Sequence, residues 1–203
     1  MKNDADTKRP YRQTTRAAAS EATAARIVQA FRGRLQTLWF DEIRLEDVAR
    51  EADVTVQTVI RRFGGKEGLL DATVDVLARE IMELRRTAPG DPAAAVRALV
   101  DDYEVSGDLV MRVLAQEERY PTLRRVTKIG RAGHRDWLAE TFARWLETLS
   151  PTAAQRRLDA LVAATDVYLW KLVRRDMQRP VDDYAALVER FVHAALTSAD
   201  DTR

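Results

Sequence analysis

The sequence predicts an all-α protein, and three observations carry that expectation. Apolar residues recur at three- and four-residue spacing along almost the whole chain, the signature of helices with one buried face. No segment sustains the period-two alternation of a half-buried strand. Proline, glycine, serine and aspartate fall between the periodic stretches, where helices begin and end. With 203 residues, 46% of them apolar and 32% charged, the chain is globular in composition and long enough to bury a substantial core.

The elements follow in order. Residues 1–19 read as a flexible basic arm, with Lys8, Arg9, Arg12 and Arg16 beside Pro10. Ser20 is placed to cap a first helix that runs to about Trp39 and buries Ile27, Ala30, Phe31, Leu35 and Leu38. A second helix starts near Leu45, with Val48, Ala49 and Ala52 on one face. A third starts at Thr55, an N-cap residue, and turns Val59 and Phe63 inward. Gly64-Gly65 breaks the chain. A long fourth helix then carries Leu69, Leu70, Thr73, Val74, Leu77, Ile81 and Leu84 up to Pro89-Gly90-Asp91-Pro92, the strongest turn signal present. Asp91 caps a fifth helix with Pro92 in its first turn. Ser106-Gly107-Asp108 is expected to interrupt it before a short helix over 109–118. Long helices are expected over 122–149 and 152–177, and a last one from about Asp182.

Residues 44–66 have the form of a helix-turn-helix, with Ala52-Asp53-Val54 at the reversal. The outward face of its second helix carries Val56, Gln57, Ile60 and Arg61. A solvated helix gains nothing from two β-branched apolar residues beside an amide and a guanidinium. A helix lying in the DNA major groove does: amides and guanidinium groups bond base edges, and apolar groups meet thymine methyls. The competing reading is a helical hairpin packed inside a larger core. Charge favours the first reading. Net charge is +1 overall but +4 over residues 1–66 and −3 over 67–203, so the basic excess lies with the helix-turn-helix. The basic arm is either a further DNA contact or a solvated terminus.

The second half suggests self-association. Between Leu158 and Val173 a second apolar stripe, Ala160, Ala163, Ala164, Val167 and Trp170, lies opposite the first. A helix apolar on two sides is buried on two sides. One side then packs on its own domain and the other, with Phe191 of the last helix, on a second copy; the alternative is a helix central to a monomer. Tyr103, Met111, Leu114, His134, Trp137 and Tyr168 either line a ligand cavity among the middle helices or form ordinary core. Arg124, Lys128, Arg131 and Arg135 form one stripe, which either neutralises an anion or is a solvated face paired with acidic neighbours.

Other function classes find no support. Zero cysteines exclude disulfides and thiolate chemistry, and two histidines argue against a histidine metal site, so no metal or cofactor is expected. No G-x-S-x-G, H-E-x-x-H or P-loop is present, so an enzyme is not expected. No apolar run approaches the roughly 20 residues of a membrane span, and the polar start shows no secretory signal.

Residues 27–70 resemble, without a gap, the DNA-binding domain of the TetR (tetracycline-repressor-like) family of bacterial transcriptional regulators. Ile27, Ala30 and Leu35 match the first-helix pattern, and Phe40 the aromatic at its end. Asp47-Val48-Ala49 matches D-I-A, Thr55 to Phe63 the recognition helix, and Lys66-Glu67-Gly68-Leu69-Leu70 the K-E-x-L-L that opens the fourth helix. Four positions depart from the pattern. Asp53 replaces the turn glycine, though aspartate tolerates left-handed backbone; Arg44 replaces a Ser/Thr cap; Ile60 replaces a tyrosine that usually bonds the DNA backbone; and Arg62 stands where a His or Tyr is usual, able to supply a phosphate contact instead.

The resemblance implies a helix-turn-helix domain over 20–66 and a helical ligand-binding and dimerisation domain over 67–203. It implies a cytoplasmic homodimer on a palindromic double-stranded DNA operator, most often a repressor, released by a small-molecule effector whose identity is unknown. Val56, Gln57, Ile60 and Arg61 are then expected to read bases, and Arg44, Thr55, Thr58, Arg62 and Lys66 to hold phosphates. The alternative is a dimeric helical sensor or adaptor that does not bind DNA.

Overall fold

The computed structural model describes residues 8–87 and 90–198. Ten α-helices and a π-helical stretch make up its regular structure: α1 Lys8–Leu35, α2 Leu45–Glu51, α3 Val56–Phe63, α4 Lys66–Leu84, α5 Pro92–Leu114, α6 Pro121–Thr141, α7 Ala143–Leu146, α8 Pro151–Ala164, α9 Val167–Trp170, the π-helical stretch Lys171–Asp176, and α10 Val181–Thr197. Among the described residues there is no strand, and no helix is long and apolar enough to cross a membrane.

The chain forms two compact units that divide between Val76 and Leu77, inside α4. The expected boundary lay ten residues earlier, after Lys66. The shift has a plain cause: Leu69, Leu70 and Thr73 of α4 are fully buried and complete the core of the first unit, with Ile27 and Phe31 of α1, Val48 of α2 and Val59 of α3. The first helix also differs from expectation. It begins at Lys8, so residues 8–19 are helical rather than part of an arm, and Ser20 lies within the helix instead of capping it. Residues 1–7 of the expected arm lie outside the described residues.

The second unit is built on α5, α6, α8 and α10, whose buried faces share one cluster that includes Val96, Leu99, Tyr103, Trp137, Leu161, Trp170, Tyr184 and Val188. Three helix boundaries depart from the sequence pattern. Ser106-Gly107-Asp108 does not interrupt α5, which runs unbroken for 23 residues. Gly107 is there because the Trp170 ring packs on it: a Cβ at this position would lie 2.6 Å from the indole. The stretch expected as one helix over 122–149 breaks at Phe142, which leaves the helical conformation (φ −106°, ψ 19°) with its ring fully buried. The stretch expected over 152–177 breaks at Thr165-Asp166, where the Asp166 side chain caps α9 through the Tyr168 N–H and the chain then widens into the π-helical stretch.

That last break splits the second apolar stripe. Ala164, Val167 and Trp170 turn into the core of their own unit, whereas Ala160, Ala163 and Phe191 stay exposed. The two halves of the stripe were continuous only on the assumption of a single unbroken helix.

Gly107→Val should destabilise the protein by about 1–3 kcal/mol, because a branched side chain has no room beneath a fully buried indole. Urea unfolding followed by circular dichroism measures it.

Candidate nucleic-acid interface and a buried polar cluster

The reversal between α2 and α3 is short and fully bonded. Ala52 and Val54 donate to the carbonyls of Val48 and Ala49 at 3.0 and 2.9 Å. Asp53 takes the left-handed conformation, φ +54°, that the usual glycine would occupy. The Arg26 Nε of α1 donates to the Ala52 carbonyl at 3.2 Å and braces the turn. The Thr55 hydroxyl accepts from the Thr58 N–H at 3.2 Å, the N-cap expected from sequence, and Gly64 closes α3 with a left-handed C-cap.

With Val59 fully buried, the opposite face of α3 is set outward. Gln57, Ile60, Arg61 and Arg62 are exposed, and Val56 and Thr58 are half-buried. Ile60 keeps 41% of its surface in solvent beside an amide and a guanidinium. The four residues expected to read bases thus share one outer surface.

The expected phosphate set divides. Arg44 is exposed at the start of α2 and makes no capping bond there with its side chain. Thr55 and Thr58 hold each other through their hydroxyls at 2.9 Å. One nitrogen of Arg62 donates to the Ser20 hydroxyl of α1 at 2.6 Å, leaving the rest of its fork available. Lys66 is engaged within the chain. Its ammonium donates to the carbonyls of Phe40, Ile43 and Asp41 at 2.6, 2.8 and 3.4 Å and stands 4.7 Å from the Phe40 ring centre. An ammonium has three donors, and here all three point to carbonyls of the α1–α2 loop. Burial lowers its pKa, with nearby Asp41 opposing that.

Among the residues expected to line a ligand pocket in the second unit, Leu114 is buried in the core, Met111 packs half-buried against it, and Tyr168 is half exposed. Surface grooves of about 430 and 310 Å³ are lined by other residues. Tyr103, His134 and Trp137 do converge, on a residue that the sequence reading passed over. Arg85, the residue after α4, is only 6% exposed. Its Nε and Nη2 meet one oxygen of the fully buried Asp102 at 2.7 and 2.6 Å. The other oxygen of Asp102 accepts from Ser106 at 2.8 Å. The guanidinium carbon lies 5.1 Å from the ring centre of Tyr103 and 5.0 Å from that of Trp137, which donates its indole N–H to the Arg85 carbonyl.

The bonding fixes the tautomer of His134. Arg85 Nη1 is 2.8 Å from His134 Nδ1, and a guanidinium only donates, so Nδ1 accepts and Nε2 carries the hydrogen. Nε2 then donates to the Thr165 hydroxyl at 2.9 Å, and that hydroxyl donates to the Leu161 carbonyl at 2.7 Å. Tyr103 donates to the Thr165 carbonyl at 3.0 Å. Burial and the adjacent Arg85 charge hold the His134 pKa down to about 3, and burial pushes the Tyr103 hydroxyl up to about 12. The pattern did hold a signal. Arg85 continues the stripe of Ile81 by four residues, and Asp102 falls between the buried Leu99 and Ser106. Opposite charges on two buried stripes mark a pair.

The arginine stripe of α6 is a solvated face. Arg124 pairs with Glu118 at 2.6 Å, Arg131 with Glu117 at 2.6 Å and Arg135 with Asp159 at 2.8 Å. Bonds from Arg131 and Thr127 hold the Glu117 carboxyl down to about 2.

Residues 40–73 match the family model described as bacterial regulatory proteins, tetR family. The chain is 33% identical over 154 residues to the HTH-type transcriptional regulator BetI of Burkholderia mallei, an alignment covering 70% of this chain and 76% of that one. Against BetI of Paraburkholderia phytofirmans it is 31% identical over 137 residues, covering 62% and 68%. Among solved structures, a transcriptional regulator from Rhodococcus sp. Rha1 superimposes with a TM-score of 0.67 at 17% identity, covering 89% of this chain and 99% of that one. A transcriptional regulator from Pseudomonas aeruginosa PAO1 does so with 0.66 at 17% identity, covering 87% and 91%. At such identities these two likenesses bear on the fold alone.

The neutral His134 gives stability a defined acid limb. A histidine whose folded pKa lies below its ordinary 6.5 favours folding most above pH 6.5, and that contribution falls as pH drops from 6.5 toward about 3, by up to ~1.4 kcal/mol per pH unit. His134→Gln keeps an acceptor and a donor without titrating, and should flatten the decline between pH 6.5 and 4.5 in denaturant titrations. The Glu117 contribution is lost lower, as pH falls from about 4.5 toward 2, and should persist in that variant.

Proposed function

The chain belongs to the TetR family, and on that footing we propose that it is a repressor that binds a palindromic operator as a homodimer and is released by a small molecule. Regulators of this family bind DNA operators, act as dimers and are not enzymes. This chain is therefore a helix-turn-helix DNA-binding transcriptional regulator. What supports the finer reading is the outer face of α3, where an exposed isoleucine stands among an amide and two guanidinium groups on a helix whose other side is buried.

In this reading Gln57 and Arg61 bond base edges, and Val56 and Ile60 meet methyl groups. Arg44, Thr55, Thr58 and Arg62 set register on phosphates. Lys66 acts one step back: it holds the α1–α2 loop, and through it the start of α2, against the start of α4. Two copies associate through the exposed side of α8 and α10, where Ala160, Ala163 and Phe191 remain uncovered. Two recognition helices about one DNA turn apart, ~34–36 Å, fit successive major grooves of such an operator. The location is cytoplasmic, where an operator is reached.

Footprinting on the DNA flanking the protein's own gene should reveal one protected palindrome. Gln57→Ala should change which bases are preferred at one position per half-site, costing about 1–3 kcal/mol against the native sequence there; a uniform loss across sequences would make Gln57 a backbone contact. Lys66→Met should weaken binding to every sequence while leaving the slope of log affinity against log salt unchanged, because no counterion is released at Lys66. A slope smaller by about one would return Lys66 to the phosphate set.

A further inference from the structure

The Arg85 cluster is a built binding site occupied by the chain's own side chain. Its walls come from α5 (Asp102, Tyr103, Ser106) and α6 (His134, Trp137); its occupant is carried by the end of α4. The occupant is a planar cation lying between two aromatic rings, with donors directed in its plane to a carboxylate and to an imidazole nitrogen. The residues on either side of Arg85, Leu84 and Arg86, are exposed. The buried guanidinium is therefore carried on a stretch of chain whose adjacent side chains lie in solvent.

Charge decides what can replace it. With Arg85 gone, a neutral or anionic ligand leaves Asp102 as a buried carboxylate without a cation, which is costly. A tetraalkylammonium supplies charge and stacks on rings, but it has no N–H for Asp102 or for His134 Nδ1, whose acceptor role is fixed by Thr165. A primary ammonium has donors but not in a flat fork that fits between two rings. A guanidinium or amidinium meets every requirement. Tyr184 adds a fully buried hydroxyl that finds no hydrogen-bond partner and lies within electrostatic reach of Tyr103 and Arg85.

Resting on the reading of the protein as an effector-released repressor, we propose that its effector carries a guanidinium or amidinium group that displaces Arg85 from between Tyr103 and Trp137. The ligand binds the form in which Arg85 is out, and DNA binds the form in which Arg85 holds the end of α4. By linkage each then weakens the other.

The test uses full-length Arg85→Ala, which opens the site, and methylguanidinium as the probe. Millimolar methylguanidinium should raise the midpoint of thermal unfolding of this variant by about 3 °C or more. Tetramethylammonium and methylammonium should not, and Asp102→Asn placed in the same background should abolish the rise. If the variant does not fold alone, its refolding in methylguanidinium but not in tetramethylammonium makes the same discrimination. In the wild type, agmatine or benzamidine should weaken operator binding about tenfold or more, with tetramethylammonium inert. Equal response to all cations, or none to methylguanidinium, overturns the proposal. Absence of any protected operator would instead overturn the repressor reading, and the Arg85→Ala titration still reports on the site by itself.

Discussion

The second unit depends on one buried ion pair, Arg85 with Asp102. Placing both charges out of solvent carries a desolvation cost that mutual attraction offsets only when every remaining donor and acceptor is also met. Here they are met by Ser106, His134, two ring faces and, through His134, the hydroxyl of Thr165. The requirement propagates outward. Thr165 must present its hydroxyl to His134 and its carbonyl to Tyr103, so the helix cannot run straight through it. The break between α8 and α9 follows, Asp166 becomes a cap, and Trp170 swings under α5 onto Gly107.

The first unit solves a different problem with the same means. A recognition helix of eight residues is too short to be stable alone, so its orientation is imposed by side chains that reach backbone carbonyls. Arg26 holds the reversal at Ala52, and Lys66 gathers three carbonyls of the α1–α2 loop. The left-handed Asp53 costs some stability relative to glycine, and these clamps offset it. Leaving α3 itself free of such duties keeps Gln57, Ile60 and Arg61 exposed.

Much of this was legible in the sequence, and the failures share a cause. Helix periodicity located α2, α3, α4 and α10 closely, because each is amphipathic and ends at a capping or breaking residue. The caps at Thr55 and Asp91 and the strained turn at Asp53 follow from local chemistry alone. What periodicity missed was set by contacts distant in sequence. Gly107 reads as a break unless Trp170 is known to lie on it. Phe142 and Thr165 read as helix interiors unless their buried partners are known. Lys66 reads as a phosphate ligand because a lysine at a helix start beside a reading head usually faces solvent, and only the loop carbonyls 23 to 26 residues away claim it. Arg85 and Asp102 are 17 residues apart, one just past α4 and the other within α5, so only the fold shows that their charges meet.

α4 joins these two designs. Its first residue is Lys66, and the residue after its last is Arg85, so a helix of 19 residues, about 28 Å, is tied at one end to the loop before the helix-turn-helix and at the other to the core of the second unit. The two ties differ in how they can be exchanged. The carbonyls around Lys66 are backbone groups fixed by the fold, and a half-buried ammonium leaving them gains little that a ligand can intercept. The Arg85 tie is to a carboxylate, an imidazole nitrogen and two rings, which can accept another guanidinium or an amidinium in place of the arginine. Breaking it by removal alone costs several kcal/mol, about 3–5 for a buried pair that loses one partner, so it stays closed without a ligand. Substituting one cation for another keeps the partner paired, and the difference between those two costs is the free energy through which a small molecule can act on α4.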